Sequence, residues 1–193
     1  MMPMLTLVEY SQHIVGFCWV TFLVVWAVGA FRTKRSSRRQ SLQSILVQRA
    51  VVVLAVIIAV LPFEALNWPF LPSSPAVTLA ATAATVLGVG FAIWARVYLG
   101  SNWSMNVTVK AEHTLVRGGP YAWVRHPIYT GMILGLLGTA AVHKEVRYLL
   151  AAALIAVMFL LKIAIEERFM AEEFGEQYAT YRHEVKALIP FVW

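Results

Sequence analysis

Five runs of apolar residues succeed one another along the chain, at about 14–31, 50–66, 76–98, 128–142 and 148–165. Each except the fourth is long enough to cross a bilayer, since 18 residues of helix rise about 27 Å against a hydrocarbon thickness of roughly 30 Å. The fourth run is short and is expected to borrow residues from its flanks or to sit against protein. Only His143 to Arg147 separate it from the fifth, which predicts a tight helical hairpin over 128–165. After the fifth run, Met170, Phe174, Tyr178, Tyr181, Val185 and Leu188 recur every three or four residues, with most charges elsewhere. That spacing predicts an amphipathic C-terminal helix.

Composition agrees. Of 193 residues, 60% are hydrophobic and 13% charged, about half the charge of an ordinary soluble domain. The predicted fold is an all-α integral membrane protein of about five transmembrane helices. It divides into a three-helix N-terminal region, 1–98, and a C-terminal region, 99–193, that holds the loop, the hairpin and the amphipathic helix. The acids are ten Glu and no Asp, so no mechanism can rest on an Asp nucleophile. Cys18 is the single cysteine, which excludes an intrachain disulfide. The five histidines form no i, i+3 or i+4 pair, so no metal site is expected. No GxxxxGK[ST], GxGxxG or nucleophile-elbow pattern occurs. Met1 to Gln12 lacks a basic start, so no cleavable signal peptide is expected.

The net charge is +6, and position explains it without nucleic acid. Arg32, Lys34, Arg35, Arg38, Arg39 and Arg49 crowd the first loop, while the loop 67–75 carries no charge. With the first loop cytoplasmic, every Lys and Arg except Lys144 and Arg147 lies on the cytoplasmic side or at its boundary, as the positive-inside rule requires. The N-terminus is then outside and the C-terminus inside. The expected location is a multi-pass membrane protein with its site facing the cytoplasm, in the inner membrane of a bacterium or the endoplasmic reticulum of a eukaryote.

Two segments rich in polar and aromatic residues flank the hairpin, 100–131 and 162–193, and the hairpin brings them to one membrane face. Pro127 suits a first helical turn and pushes the preceding residue out of the helix. His126 therefore caps the fourth span, and the unpaired amides of the helix start, with Arg125, are suited to an anion. The alternative is that Arg125-His126 anchors a helix end among headgroups. Gly131, Gly135 and Gly138 share one face, where small residues let a helix or a ligand approach closely. Lys162, Glu166 and Glu167 are ionisable groups near the hydrocarbon edge and need compensation or water.

Gly100-Ser-Asn-Trp-Ser104, His113-Thr-Leu-Val116, Gly119-Pro-Tyr121, Arg125-His-Pro-Ile-Tyr-Thr-Gly131, Glu166-Glu167 and Glu173-Phe-Gly175 with Tyr178 and Tyr181 together resemble the isoprenylcysteine carboxyl methyltransferase family. That family belongs to a wider group of membrane methyltransferases that includes the phospholipid N-methyltransferases. The resemblance covers about residues 90–190. It implies S-adenosyl-L-methionine as methyl donor, enclosed from the cytoplasmic side by the C-terminal half. It also implies a lipidic or prenylated acceptor entering laterally from the membrane. The implied cofactor-binding residues are His113, Leu115, Val116, Gly119, Tyr121, His126, Pro127, Tyr129, Gly131, Glu166 and Glu167, with Arg125 closest to the chemistry. One departure concerns the Arg-rich stretch that eukaryotic members carry before the paired Glu. Here Lys162 is the only basic residue between Val157 and Arg168, and it joins Arg125 as a candidate for the acceptor carboxylate. Two other activities are compatible with the motifs. N-methylation of a phospholipid or small amine would need a base, and an NADPH-dependent membrane reductase would share the hairpin.

Overall fold

The computed structural model describes residues 4–30, 36–39, 41–61, 63–100, 108–110 and 115–192. Six helices and one short ribbon appear in the order α1 (Met4–Ala30), β1 (Ser36–Arg39), α2 (Leu42–Val60), α3 (Pro75–Leu99), β2 (Thr108–Lys110), α4 (Pro127–His143), α5 (Val146–Phe174) and α6 (Glu176–Glu184). Four of them, α1, α2, α3 and α5, are long and apolar enough to cross a membrane, and α4 is a shorter apolar helix. The chain is a multi-pass membrane protein. With 17 residues α4 rises only about 26 Å, and it compensates by packing along α3.

Helix starts follow their capping residues. Ser74 accepts from the Val77 amide at 3.2 Å, with Pro75 in the first turn of α3. Ser41 accepts from the Ser44 amide at 3.3 Å to open α2. Lys144 (φ 66) ends α4 in the left-handed conformation. Two boundaries differ from the apolar runs. α1 begins at Met4 because Glu9, Gln12 and His13 interrupt the hydropathy without breaking a helix, and Ser11 is buried. α5 passes its apolar run and continues to Phe174, since no breaker intervenes before Gly175 (φ 49). The expected amphipathic helix is therefore split. Met170 and Phe174 finish α5, Tyr178 and Tyr181 are buried from α6, and 185–188 is no longer helical.

The loops sort by membrane face. Ser36–Arg39 pairs antiparallel with Thr108–Lys110, a ribbon that joins the first and third loops and was not foreseen in an all-helical chain. At the other end Pro69 bridges to Glu145, Phe70 N–H donates to Lys144 O at 2.9 Å, and Val146 N–H donates to Trp68 O at 3.0 Å. First with third and second with fourth is the pairing that five spans require.

The α3–α4 seam is the tightest contact. A Cβ on Gly131 would lie 2.5 Å from Gly88 O and 2.6 Å from Ala92 N, and one on Gly138 would lie 2.6 Å from Thr85 N. The small-residue face of α4 thus meets α3, which lets two backbones touch. α1 crosses the same seam, where Trp19 Nε1–H donates to Thr139 Oγ1 at 3.0 Å, and α2 packs against α5. Only 6% of the apolar window of α2 is buried, so its remaining apolar side chains have lipid as their natural surroundings.

Candidate functional site at the start of α4

The hairpin runs its two helices antiparallel, so the beginning of α4 lies beside the far end of α5. Counted from Val146, Glu166 is about 30 Å up that helix, one hydrocarbon thickness. The paired carboxylates therefore stand at the boundary that Pro127 marks on α4. Adjacent positions on a helix are about 100° apart, and the two carboxylates straddle the His126 ring. His126 Nδ1 is 3.5 Å from Glu166 Oε2, and Nε2 is 3.3 Å from Glu167 Oε1. Tyr129, one turn into α4, donates its hydroxyl to Glu166 Oε1 at 2.6 Å. Its ring stacks on Phe159, centroids 4.7 Å apart, and Lys162 Nζ lies 5.6 Å from the ring centroid.

Arg125 makes four hydrogen bonds. Nε donates to Glu167 Oε1 at 2.9 Å and Nη2 donates to the same carboxylate. Nη1 donates to Arg182 O at 3.1 Å and to Val185 O. Arg182 Nε approaches the other Glu167 oxygen at 3.5 Å. The two Glu thus differ in surroundings. Glu167 sits between two guanidinium groups, whereas Glu166 is held by the Tyr129 hydroxyl and the His126 ring, with Lys162 acting on it electrostatically.

The two amides that precede the helix are tied to the C-terminal chain. Arg125 N–H donates to Lys186 O at 2.8 Å and His126 N–H to Ala187 O at 3.0 Å. Thr130 Oγ1–H donates to Leu188 O at 2.8 Å. Residues 185–188 form a strap across the two residues that precede α4. Both amides lie just before the first turn of α4, and chain about 60 residues away supplies their acceptors. α6 aims the strap. Tyr181, its hydroxyl pushed up to about 12 by burial, stays protonated and donates to Tyr121 O at 2.6 Å.

The remaining predicted positions surround this cluster. Leu115 and Val116 are half-buried, with Val116 packed on the core that contains Tyr121, Tyr129 and Leu188. Gly119 takes φ 57, and a Cβ there would lie 2.7 Å from the Tyr98 ring. Pro127 is fully buried. Gly131 faces α3 as described above. His113 lies outside the described residues. Arg125, His126, Tyr129, Lys162, Glu166 and Glu167 are brought together. Gly131 is turned to the α3 seam, and Leu115, Val116 and Gly119 line the approach to α4. Sequence reasoning passed over Arg182 and the strap carbonyls. A main-chain acceptor has no sequence signal. It also passed over Arg96, 3% exposed near the end of α3, whose Nη1 donates to Gly100 O at 3.0 Å. A charge inside an apolar span was its signal.

Burial alone would depress His126, but the carboxylates of Glu166 and Glu167 outweigh it and raise its pKa above the usual 6.5. A raised folded value gives stability that is complete below the unfolded pKa and lost as pH climbs through the folded one. Unfolding measured from about pH 6.5 upward should show the wild type losing stability more steeply than His126→Gln. Parallel curves would refute a charged His126.

The phospholipid methyltransferase family matches residues 77–177. Protein-S-isoprenylcysteine O-methyltransferase of Tribolium castaneum is 36% identical over 96 residues, 48% of this chain and 34% of that protein. The cobalt-zinc-cadmium resistance protein CzcN of Cupriavidus metallidurans is 31% identical over 141 residues, 72% of this chain and 61% of that one. Among solved structures, the eukaryotic intramembrane Ras methyltransferase, isoprenylcysteine carboxyl methyltransferase, superposes with a TM-score of 0.54 at 26% identity. That match covers 81% of this chain and 55% of that one. The chain spans less than two thirds of the length of each of these three proteins. The matched stretch contains nearly all of α3, all of α4 and α5, and the cluster from Arg125 to Glu167, and the chain belongs to the phospholipid methyltransferase family, beside its isoprenylcysteine carboxyl methyltransferases.

Proposed function

We propose that this chain is an S-adenosyl-L-methionine-dependent methyltransferase acting on the carboxylate of an isoprenylcysteine or similar lipidic acceptor. The reaction takes place at the cytoplasmic boundary of the membrane, the face that the Lys and Arg distribution selects. The observation that carries the reading is the asymmetry of the paired carboxylates beside Lys162 and Arg125. Glu166, hydrogen-bonded to Tyr129 and beside His126 rather than held by a guanidinium, is the anion suited to an ammonium group. Glu167 is spent on Arg125 and Arg182. The donor set thus fits a ligand with a cationic amino group, and His126, Tyr129, Tyr121 and the 115–119 approach complete the binding residues.

Bound S-adenosyl-L-methionine supplies a methyl group on a positively charged sulfur, open to in-line displacement. What the chain contributes is positioning in a dry pocket. A carboxylate acceptor is ionised at neutral pH and needs no base. It needs a cation to hold it, and Lys162 over the Tyr129 ring meets that need. Four hydrogen bonds from Arg125 to three protein acceptors support a positioning role for it, with its fork fixing Glu167, the end of α6 and the strap. The acceptor's apolar tail would lie among the lipid-facing helices.

A second reading, N-methylation of a phospholipid or small amine, is favoured by the family match and by Glu166 as a base beside an amine. Purified protein in lipid should bind labelled S-adenosyl-L-methionine and not NADPH, and binding of NADPH alone would mean a reductase. Methylation of farnesylcysteine analogues but not phosphatidylethanolamine supports the first reading, and the reverse supports the second. Glu166→Gln should weaken donor binding by roughly 1.5–3 kcal/mol, the scale of a charge-assisted bond. Calorimetry showing unchanged affinity would remove Glu166 from the ammonium site.

A further inference from the structure

The last described residues leave the packed core abruptly. Leu188 is buried against Ile128, Tyr129 and Ile163, yet Ile189, Phe191 and Val192 are 53%, 96% and 72% exposed. Their depth is fixed by one bond. Thr130 Oγ1–H donates to Leu188 O, and Thr130 is in the first turn of α4. Leu188 therefore lies within about 5 Å, along the axis, of the point where α4 begins. Side chains that emerge at this level meet the headgroup–acyl boundary. The charges agree, since Arg182 and Lys186 are exposed just upstream, where cations would meet anionic headgroups. The backbone points the same way. Phe191 adopts φ 65, costly for a bulky residue, in a turn closed by Val192 N–H to Ile189 O at 3.1 Å. Burial of the Phe191 ring outside the protein offsets that cost.

We propose that residues 189–192 are seated in the interfacial layer of the bilayer. This anchorage keeps the strap, 185–188, closed over Arg125 and His126. The partner is the lipid surface itself. The tail turns membrane contact into order at the residues that carry Glu166 and Glu167, because the strap ends where the anchor starts. The inference goes beyond the proposed reaction and holds whichever acceptor is methylated, so failure of an acceptor screen leaves it standing.

The test uses the full chain with Cys18→Ala in vesicles of phosphatidylethanolamine and phosphatidylglycerol. A fluorophore is placed at Phe191→Cys or, for comparison, at Glu184→Cys. The expected result is quenching of the 191 label by lipids carrying a nitroxide near the headgroup, with protection from iodide, and the opposite at 184. Equal iodide quenching at both positions overturns the anchor. Amide exchange then reads the strap. Phe191→Glu should speed exchange at the Arg125 and His126 amides roughly tenfold or more, the equivalent of losing one buried aromatic. Phe191→Trp should leave the rates unchanged. Unchanged exchange in Phe191→Glu overturns the link between tail and strap, and a label at 191 that faces water overturns the anchor even if Phe191→Glu does not fold.

Discussion

Arg125→Ala is expected to destabilise the protein by on the order of 3 kcal/mol, the cost of leaving one partner of a buried ion pair alone. The side chains of Arg125 and Glu167 are 7% and 13% exposed, so water replaces little of what is lost. Arg182, which is largely exposed and 3.5 Å from the second oxygen of Glu167, recovers part of it. At the same time α6 loses the Nη1 contact at Arg182 O and the strap loses the one at Val185 O. Arg125→Lys restores the charge but cannot reach a carboxylate and two carbonyls at once, because an ammonium lacks the planar fork. It should therefore remain well below wild type. A headgroup anchor would give the opposite result, with Lys nearly as good as Arg. The decisive measurement is a double-mutant cycle of Arg125→Ala and Glu167→Ala in lipid. The double variant should be much less destabilised than the sum of the singles, a coupling of about 2 kcal/mol or more. Additive losses would mean that the two residues act separately and that the strap alone explains Arg125.

The parts of the fold legible in the sequence were those fixed by local chemistry. Pro127 set the start of α4, because a proline in the first turn acts within a few residues. The hairpin was legible because only five residues separate its two runs, and it alone brings Glu166 and Glu167 to His126. What hydropathy misread were places where a helix outruns its apolar stretch. A helical repeat persists through Glu9 to His13 and through Glu166 to Phe174, but a window that scores only apolar residues stops at each. The tertiary devices had no sequence signal. The carbonyls of Lys186, Ala187 and Leu188 are selected by the path of the chain, and any residues there would present the same oxygens. The difference between Glu166 and Glu167 was hidden for a related reason. It depends on which way each carboxylate points, and neighbouring glutamates look alike until Arg125, Arg182 and Tyr129 have been placed.

Gly131→Ala should be strongly damaging for the addition of a single methyl group. An added Cβ would stand 2.5 Å from Gly88 O and 2.6 Å from Ala92 N. Both are main-chain atoms of a helix, so no side chain can rotate away. Relief requires α4 to move off α3 along the whole seam, which also carries Gly135 and Gly138. Overpacking of a core typically costs about 1–3 kcal/mol, and a collision with main chain belongs at the upper end. Movement of α4 also carries His126 and Tyr129 away from Glu166, so donor binding should weaken together with stability. Gly90→Ala and Gly16→Ala are the controls, since nothing lies within 4 Å of a Cβ at either position. Both should be neutral or slightly stabilising, because alanine is the better helix former. The measurement is unfolding in lipid beside calorimetric donor binding for the three variants. If Gly131→Ala matched the controls in stability, the seam would not be close-packed. If it lost stability but bound the donor normally, the position of α4 would not be what sets the paired carboxylates, and the hairpin loop would have to hold them instead.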